Sequence, residues 1–292
     1  MPEITRRRFL AGAAAFAAAP VSAQAQFFDV PFVATPQVVV DEMLRLAGVG
    51  PQDVVYDLGS GDGRIVITAA RTFGARGVGV ELSDHLIFQS EESARQANVL
   101  DRVQFLQQDF FKTDFSQATV VTLYLVPGVM KRLRDRLLQL KPGTRLVAHD
   151  FTFDDWRPDQ KTTIRKNVFL WIVPANVAGR WQVRINGVRS DISYETARTK
   201  IGPDPIYFDM ELRQKYQEID GMARFDGTPG GGLWEPRLEG ERIRFVIVDS
   251  RDRDREANLY FDGRVAGNAM EGEVVRGVGN QATRFKWRAE KR

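Results

Sequence analysis

Two periodicities divide the chain. Between residues 38 and 173, short apolar runs alternate with stretches whose apolar positions recur every three to four residues. The runs at 54–58, 77–81, 103–106, 119–126 and 146–148 read as strands buried on both faces. The stretches at 38–47, 65–71, 84–98 and 130–140 read as helices with one apolar face, carried for example by Ile65, Val66, Ala69 and Ala70, or by Met130, Leu133, Leu137 and Leu140. Residues 168–173 add a last strand. Strands and helices in this alternation predict an α/β class domain, a doubly wound and mainly parallel sheet. From residue 179 the period becomes two, in runs at 181–185, 206–212, 216–224, 242–248, 258–261, 269–275 and 283–288. Asp226-Gly227, Gly230-Gly231-Gly232, Glu239-Gly240 and Asp262-Gly263 punctuate them, which predicts an all-β antiparallel domain, either barrel or sandwich.

Candidate chemistry concentrates behind the first strand. Val54-Val55-Tyr56-Asp57-Leu58 is followed by Gly59-Ser60-Gly61-Asp62-Gly63-Arg64, where a helix opens. Glycine admits positive φ and close approach of a ligand to the backbone, and a helix start presents free N–H groups. A dinucleotide fingerprint is G-x-G-x-x-G. Here the spacing is G-x-G-x-G, with Asp57 two residues ahead. The second strand, Gly77-Val78-Gly79-Val80, ends at Glu81-Leu82, about 18 residues past the last glycine, where an acid accepts both hydroxyls of a ribose.

This pattern resembles the class I, seven-strand methyltransferases that use S-adenosyl-L-methionine. DLGSGDGR and GVGVEL are most similar to the protein-lysine methyltransferases of non-SET type, and the likeness spans about 31–156, half of the chain. It implies an enzyme that transfers methyl from that cofactor to an amine, a protein lysine or a small amine. It places Asp57, Gly59, Ser60, Gly61, Asp62, Gly63, Glu81 and Leu82 around the cofactor. Asp109 would accept the adenine amino group with Phe110 packed on the ring; the alternative for Asp109 is a helix or loop cap. Thr35, in the proline-punctuated segment 27–36, is a candidate cofactor contact or part of a packing strap. Tyr124-Leu125-Val126-Pro127 departs from the Asn-Pro-Pro-Tyr form. It puts Tyr124 at the transfer site, with Phe151 and Trp156 as further walls of an amine channel or as ordinary core. His149, at the end of the fifth strand, is a general base or a structural group.

Composition limits other readings. The 292 residues contain no cysteine and two histidines, which removes disulfides, thiolate chemistry and a histidine-rich metal site. A net charge of +3 is too small to predict nucleic acid as a partner. Thr5-Arg6-Arg7-Arg8-Phe9-Leu10, an alanine-rich run and Ala23-Gln24-Ala25 resemble a twin-arginine export signal. The run is shorter than the ~20 residues of a membrane span. The expected division is a signal at 1–25, a cofactor-binding domain at 26–175 and a β-rich domain at 176–292, with a periplasmic or secreted location, or a cytoplasmic one if the leader does not function. Gly179-Arg180-Trp181 is faintly like the G-x-W start of small ligand-binding barrels. Because the cofactor is cytoplasmic and the leader implies export, an exported S-adenosylmethionine- or nucleoside-binding protein, or an envelope-interaction protein, without turnover stands as the alternative.

Overall fold

The structure, a computed structural model, describes residues 32–187, 193–194, 199–200, 205–225, 228–248, 258–277, 279 and 282–292. The expected export signal and the Asp226-Gly227 turn lie outside these residues.

The first half follows the predicted alternation. In chain order it comprises α1 (Gln37–Leu46), β1 (Val54–Leu58), α2 (Arg64–Phe73), β2 (Arg76–Glu81), α3 (Asp84–Gln96), β3 (Val103–Gln107), β4 (Val120–Leu123), α4 (Pro127–Leu137), β5 (Arg145–His149), β6 (Gln160–Ile164) and β7 (Lys166–Ile172). They form one seven-stranded sheet in the order β3-β2-β1-β4-β5-β7-β6. Strands β3, β2, β1, β4 and β5 pair in parallel, whereas β7 is antiparallel to both β5 and β6. Helices cover both faces. Val39, Val40 and Met43 of α1, with Val66 and Ala69 of α2, pack on Val55, Val120 and Val147. Met130, Leu133 and Leu137 of α4 pack on Leu58, Val121 and Leu123 from the other side. Pro127 opens α4, where its fixed φ and missing N–H are both tolerated. Strand β6 is absent from the sequence prediction; its polar Gln160-Lys161-Thr162-Thr163 lacks an apolar signal because it forms a sheet edge.

The second half resolves the choice left open by its period. Strands β8 (Gly179–Asn186), β11 (Ile206–Lys215), β12 (Glu218–Phe225), β13 (Thr228–Glu239), β14 (Arg242–Ile247), β15 (Leu259–Ala266), β16 (Ala269–Arg276) and β17 (Thr283–Lys291) make a closed antiparallel barrel, with β17 returning to β8. The two-residue strands β9 (Ser193–Tyr194) and β10 (Thr199–Lys200) pair separately. Side chains fill the barrel: Phe245 stacks on Phe261 at 4.5 Å, and Trp287 meets Phe261 edge-on at 5.3 Å. Gly230-Gly231-Gly232, expected as a turn, lies inside β13. A Cβ at Gly230 would overlap the Phe225 ring, so the glycines there serve close packing beside a bulge. Trp181 is buried core, its Nε1 donating to the Val177 carbonyl at 2.8 Å. Among the described residues no helix is long and apolar enough to cross a membrane.

Candidate active site

The carboxyl ends of β1, β2 and β4 lie side by side and bring Asp57, the glycine turn and Glu81 together, at the general ligand position of open α/β sheets. The turn 59–63 is tied to β2, because the N–H groups of Gly59 and Ser60 both donate to the Val80 carbonyl, at 2.9 and 3.0 Å. Gly59, Gly61 and Gly63 all have positive φ, at 82°, 54° and 75°. Space demands glycine as well. A Cβ on Gly63 would sit 2.7 Å from the Phe105 ring, and one on Gly61 would overlap the ring of Phe32. A Cβ on Gly59 would meet Leu125 at 3.2 Å and Phe110 at 4.0 Å, which places Phe110 beside the turn. Ser60 is buried and its Oγ has no hydrogen-bond partner.

Three carboxylates surround this turn. Asp57, next to last in β1, is 3% exposed, and its Oδ1 accepts from Thr122 Oγ1 on β4 at 2.7 Å. Burial, and after it the negative charges of Asp62 and Glu81, push the Asp57 carboxyl up to about 7. Glu81 turns toward the glycines. Its Oε2 accepts from Gly61 N at 3.0 Å, and its Oε1 accepts from Leu82 N at 2.9 Å and Ser83 N at 3.1 Å. The Asp62 carboxylate is held by Arg64 through Nε and Nη2. The same guanidinium donates from Nη1 to the Thr35 carbonyl at 2.9 Å. Arg64 therefore fastens the entry segment to the turn, a role no sequence signal assigned to it. Leu82 is exposed beside Glu81. Asp109 caps the loop after β3, its Oδ1 accepting from Phe111 N at 2.9 Å.

The end of β4 is aromatic. Tyr124, just past β4, stacks on His149 with ring centroids 4.0 Å apart, and Phe151 lies parallel to it at 6.0 Å. His149 is 1% exposed; its Nδ1 and Thr35 Oγ1 share a 3.2 Å hydrogen bond, and its Nε2 is buried without a partner. Burial lowers the His149 pKa, so the ring stays neutral at physiological pH. Trp156 does not join this wall. It is fully buried among Phe153, Trp171 and Tyr216, and its Nε1 donates to Gln217 Oε1 at 2.8 Å. Of its two readings, channel wall or core, it takes the core one, because the chain between β5 and β6 turns back at 153–156.

Known proteins bear on this geometry. Residues 57–160 match the family described as ANTKMT methyltransferase domain. The chain is 40% identical over 151 residues to the protein-lysine N-methyltransferase of Saccharolobus islandicus, covering 49% of this chain and 94% of that protein. It is 32% identical over 131 residues to the adenine nucleotide translocase lysine N-methyltransferase of Mus musculus, covering 44% of this chain and 57% of that one. A solved RNA methyltransferase from Salinibacter ruber, in complex with S-adenosyl-L-homocysteine, is 52% identical over 50% of this chain and 96% of its own, with a TM-score of 0.49. The chain spans little more than half the length of the mouse relative, and the two matched lysine methyltransferases leave about half of this chain uncovered.

Proposed function

The chain belongs to the class I, S-adenosylmethionine-dependent protein-lysine methyltransferase family, and from that premise we propose that it methylates the side-chain amine of lysine in a protein acceptor. The observation that carries this is the buried Asp57 beside Glu81, over a turn of three left-handed glycines. Unliganded, that corner concentrates negative charge on bare backbone, and a cationic ligand with a sugar and an amino-acid part relieves it. Bound there, S-adenosylmethionine supplies an electrophilic methyl on its sulfonium.

The residues present suit that group. Asp57 answers the ammonium of the amino-acid part, and proximity to a cation favours its ionised form. Glu81 keeps lone pairs free for ribose hydroxyls while three N–H groups fix its orientation. Phe110, next to Gly59, gives the adenine an apolar surface, and Asp109 has Oδ2 free for its amino group. Ser60, Asp62 and Leu82 shape the turn and its rim, and Thr35 with Arg64 closes the entry segment over it. Tyr124 faces the acceptor, with the neutral His149 behind it and Phe151 alongside. An apolar aromatic approach favours the uncharged lysine amine, the form that attacks. Positioning of two reactants supplies much of the acceleration in such an in-line displacement. The twin-arginine-like leader supports action on an exported or envelope protein, with methylation before or during export.

The test is transfer of labelled methyl from S-adenosylmethionine into fractionated lysate, with Glu81→Ala as control. Methyllysine in protein hydrolysate from the wild type alone is expected. Label confined to an RNase-sensitive fraction, or cofactor binding with no transfer, would overturn the proposal.

A further inference from the structure

The tip of one barrel hairpin grips the part of the methyltransferase domain that carries the acceptor wall. Strands β11 and β12 pair up to Lys215↔Glu218, leaving Tyr216-Gln217 as a two-residue loop. Such loops favour Asn-Gly or similar pairs, because their residues take positive φ. Tyr216 adopts φ 56° with a bulky side chain, a conformation that persists only where its surroundings hold it.

The surroundings are residues 155–157. The Tyr216 ring stacks on Trp156 at 5.4 Å and 19°, and its hydroxyl donates to Asp155 Oδ1 at 3.0 Å. Gln217 accepts from Trp156 Nε1 at 2.8 Å and donates from Nε2 to the Arg157 carbonyl at 2.7 Å. Three consecutive residues are thus read by two. Asp155 also takes Lys215 at 3.3 Å and Arg134 of α4 at 2.6 Å, so the hairpin, the helix behind Tyr124 and the returning loop meet on one carboxylate. Gln214 braces the hairpin from within, donating to the Ala175 and Tyr216 carbonyls and accepting from Val177 N. The gripped segment is tied down from within as well: Phe153 and Trp156 bridge each other, and the Trp156 carbonyl accepts from Trp171 Nε1 at 2.8 Å. Two residues before that bridge is Phe151, the ring parallel to Tyr124.

We infer that the barrel is part of the acceptor apparatus: Tyr216 and Gln217 are positioning residues that hold the turn 153–156, and through it Phe151 beside Tyr124. This rests on the lysine-methylation reading above and assigns the second domain a part in it. The barrel therefore governs acceptor docking and leaves cofactor binding alone, since its hairpin touches none of Asp57, Glu81 or the glycine turn.

Full-length protein tests this with poly-L-lysine as acceptor and labelled S-adenosylmethionine as donor. Gln217→Ala and Tyr216→Gly are expected to raise the KM for poly-L-lysine at least fivefold, with kcat and the cofactor Kd within twofold of wild type. Tyr216→Phe keeps the stack, loses only the bond to Asp155 and should fall between. Arg264→Ala, an exposed substitution on β15, which pairs with β14 and β16 and not with the hairpin strands, should change nothing. An active wild type with unchanged KM in all hairpin variants would overturn the inference, as would KM and cofactor Kd rising together, which marks general loosening. A wild type that binds cofactor and methylates no lysine would instead defeat the functional reading, and the inference with it.

Discussion

Replacing Asp57 by asparagine isolates the electrostatic logic of the cofactor crevice. The new side chain can still accept from Thr122 through its amide oxygen, so Asp57→Asn removes charge and little else. Raising a carboxyl from 3.8 to about 7 on folding carries a penalty at about 1.4 kcal/mol per tenfold, or roughly 4 kcal/mol once the group is ionised. The sign follows from proton counts. Between pH ~4 and ~7 the folded protein holds a proton at Asp57 that the unfolded chain has lost, so stability falls as pH rises through that window and levels above it. Unliganded Asp57→Asn should therefore match wild type at pH ~4.5 and exceed it at pH ~8 by up to ~4 kcal/mol, a Tm rise of roughly 10 °C. Saturating S-adenosylmethionine should reverse the ranking, because the wild-type carboxylate then faces an ammonium and the variant does not. Differential scanning calorimetry at pH ~4.5, ~6 and ~8, with and without cofactor, reads all of this. A variant less stable than wild type at the alkaline end, or one that retains the wild-type cofactor Kd, would refute the reasoning.

Other outcomes follow from single contacts. Gly61→Ala drives a methyl into the Phe32 ring at φ 54° and should weaken cofactor binding about tenfold by calorimetric titration; Phe32→Ala should restore only part, since the backbone penalty of ~1–2 kcal/mol remains. His149, its pKa lowered by burial, gives wild type an acid-side loss of stability as pH falls below ~6.5, and His149→Phe should flatten that limb in urea unfolding between pH ~6.5 and ~5. For export, Arg6 and Arg7 changed together to Lys should leave a reporter-tagged precursor in the cytoplasm; unchanged secretion would defeat the twin-arginine reading.

Much of the sheet is legible because its signals are local. A continuous apolar run ending at Asp57, a glycine turn and a run ending at Glu81 state the strand, the turn and the next strand without reference to distant residues. The parts that stayed hidden depend on long-range contacts. Barrel and sandwich share a period of two, and closure is decided by β17 meeting β8, Trp287 beside Ile185, far apart in sequence. Strand β13 was obscured by glycines that local rules read as a turn, whereas the Phe225 ring determines their use. Trp156 stands near Phe151 in sequence, which suggests a shared wall; the tight reversal at 153–156 sends it inward to Trp171 instead. Arg64 belonged to the motif, yet its hold on the Thr35 carbonyl required knowing where the entry segment passes.

The reversed direction of β7 decides where the second domain leaves the sheet. Because β7 runs against β5, Ile172 finishes beside Arg145, at the end of the sheet remote from the cofactor crevice. The barrel therefore starts from the underside, where the Ala175 N–H donates to the Gly240 carbonyl and Gly240 packs on Gly143. The barrel strands thus grow from the end opposite the glycine turn, and the Tyr216-Gln217 tip reaches back from there to Asp155 and Trp156.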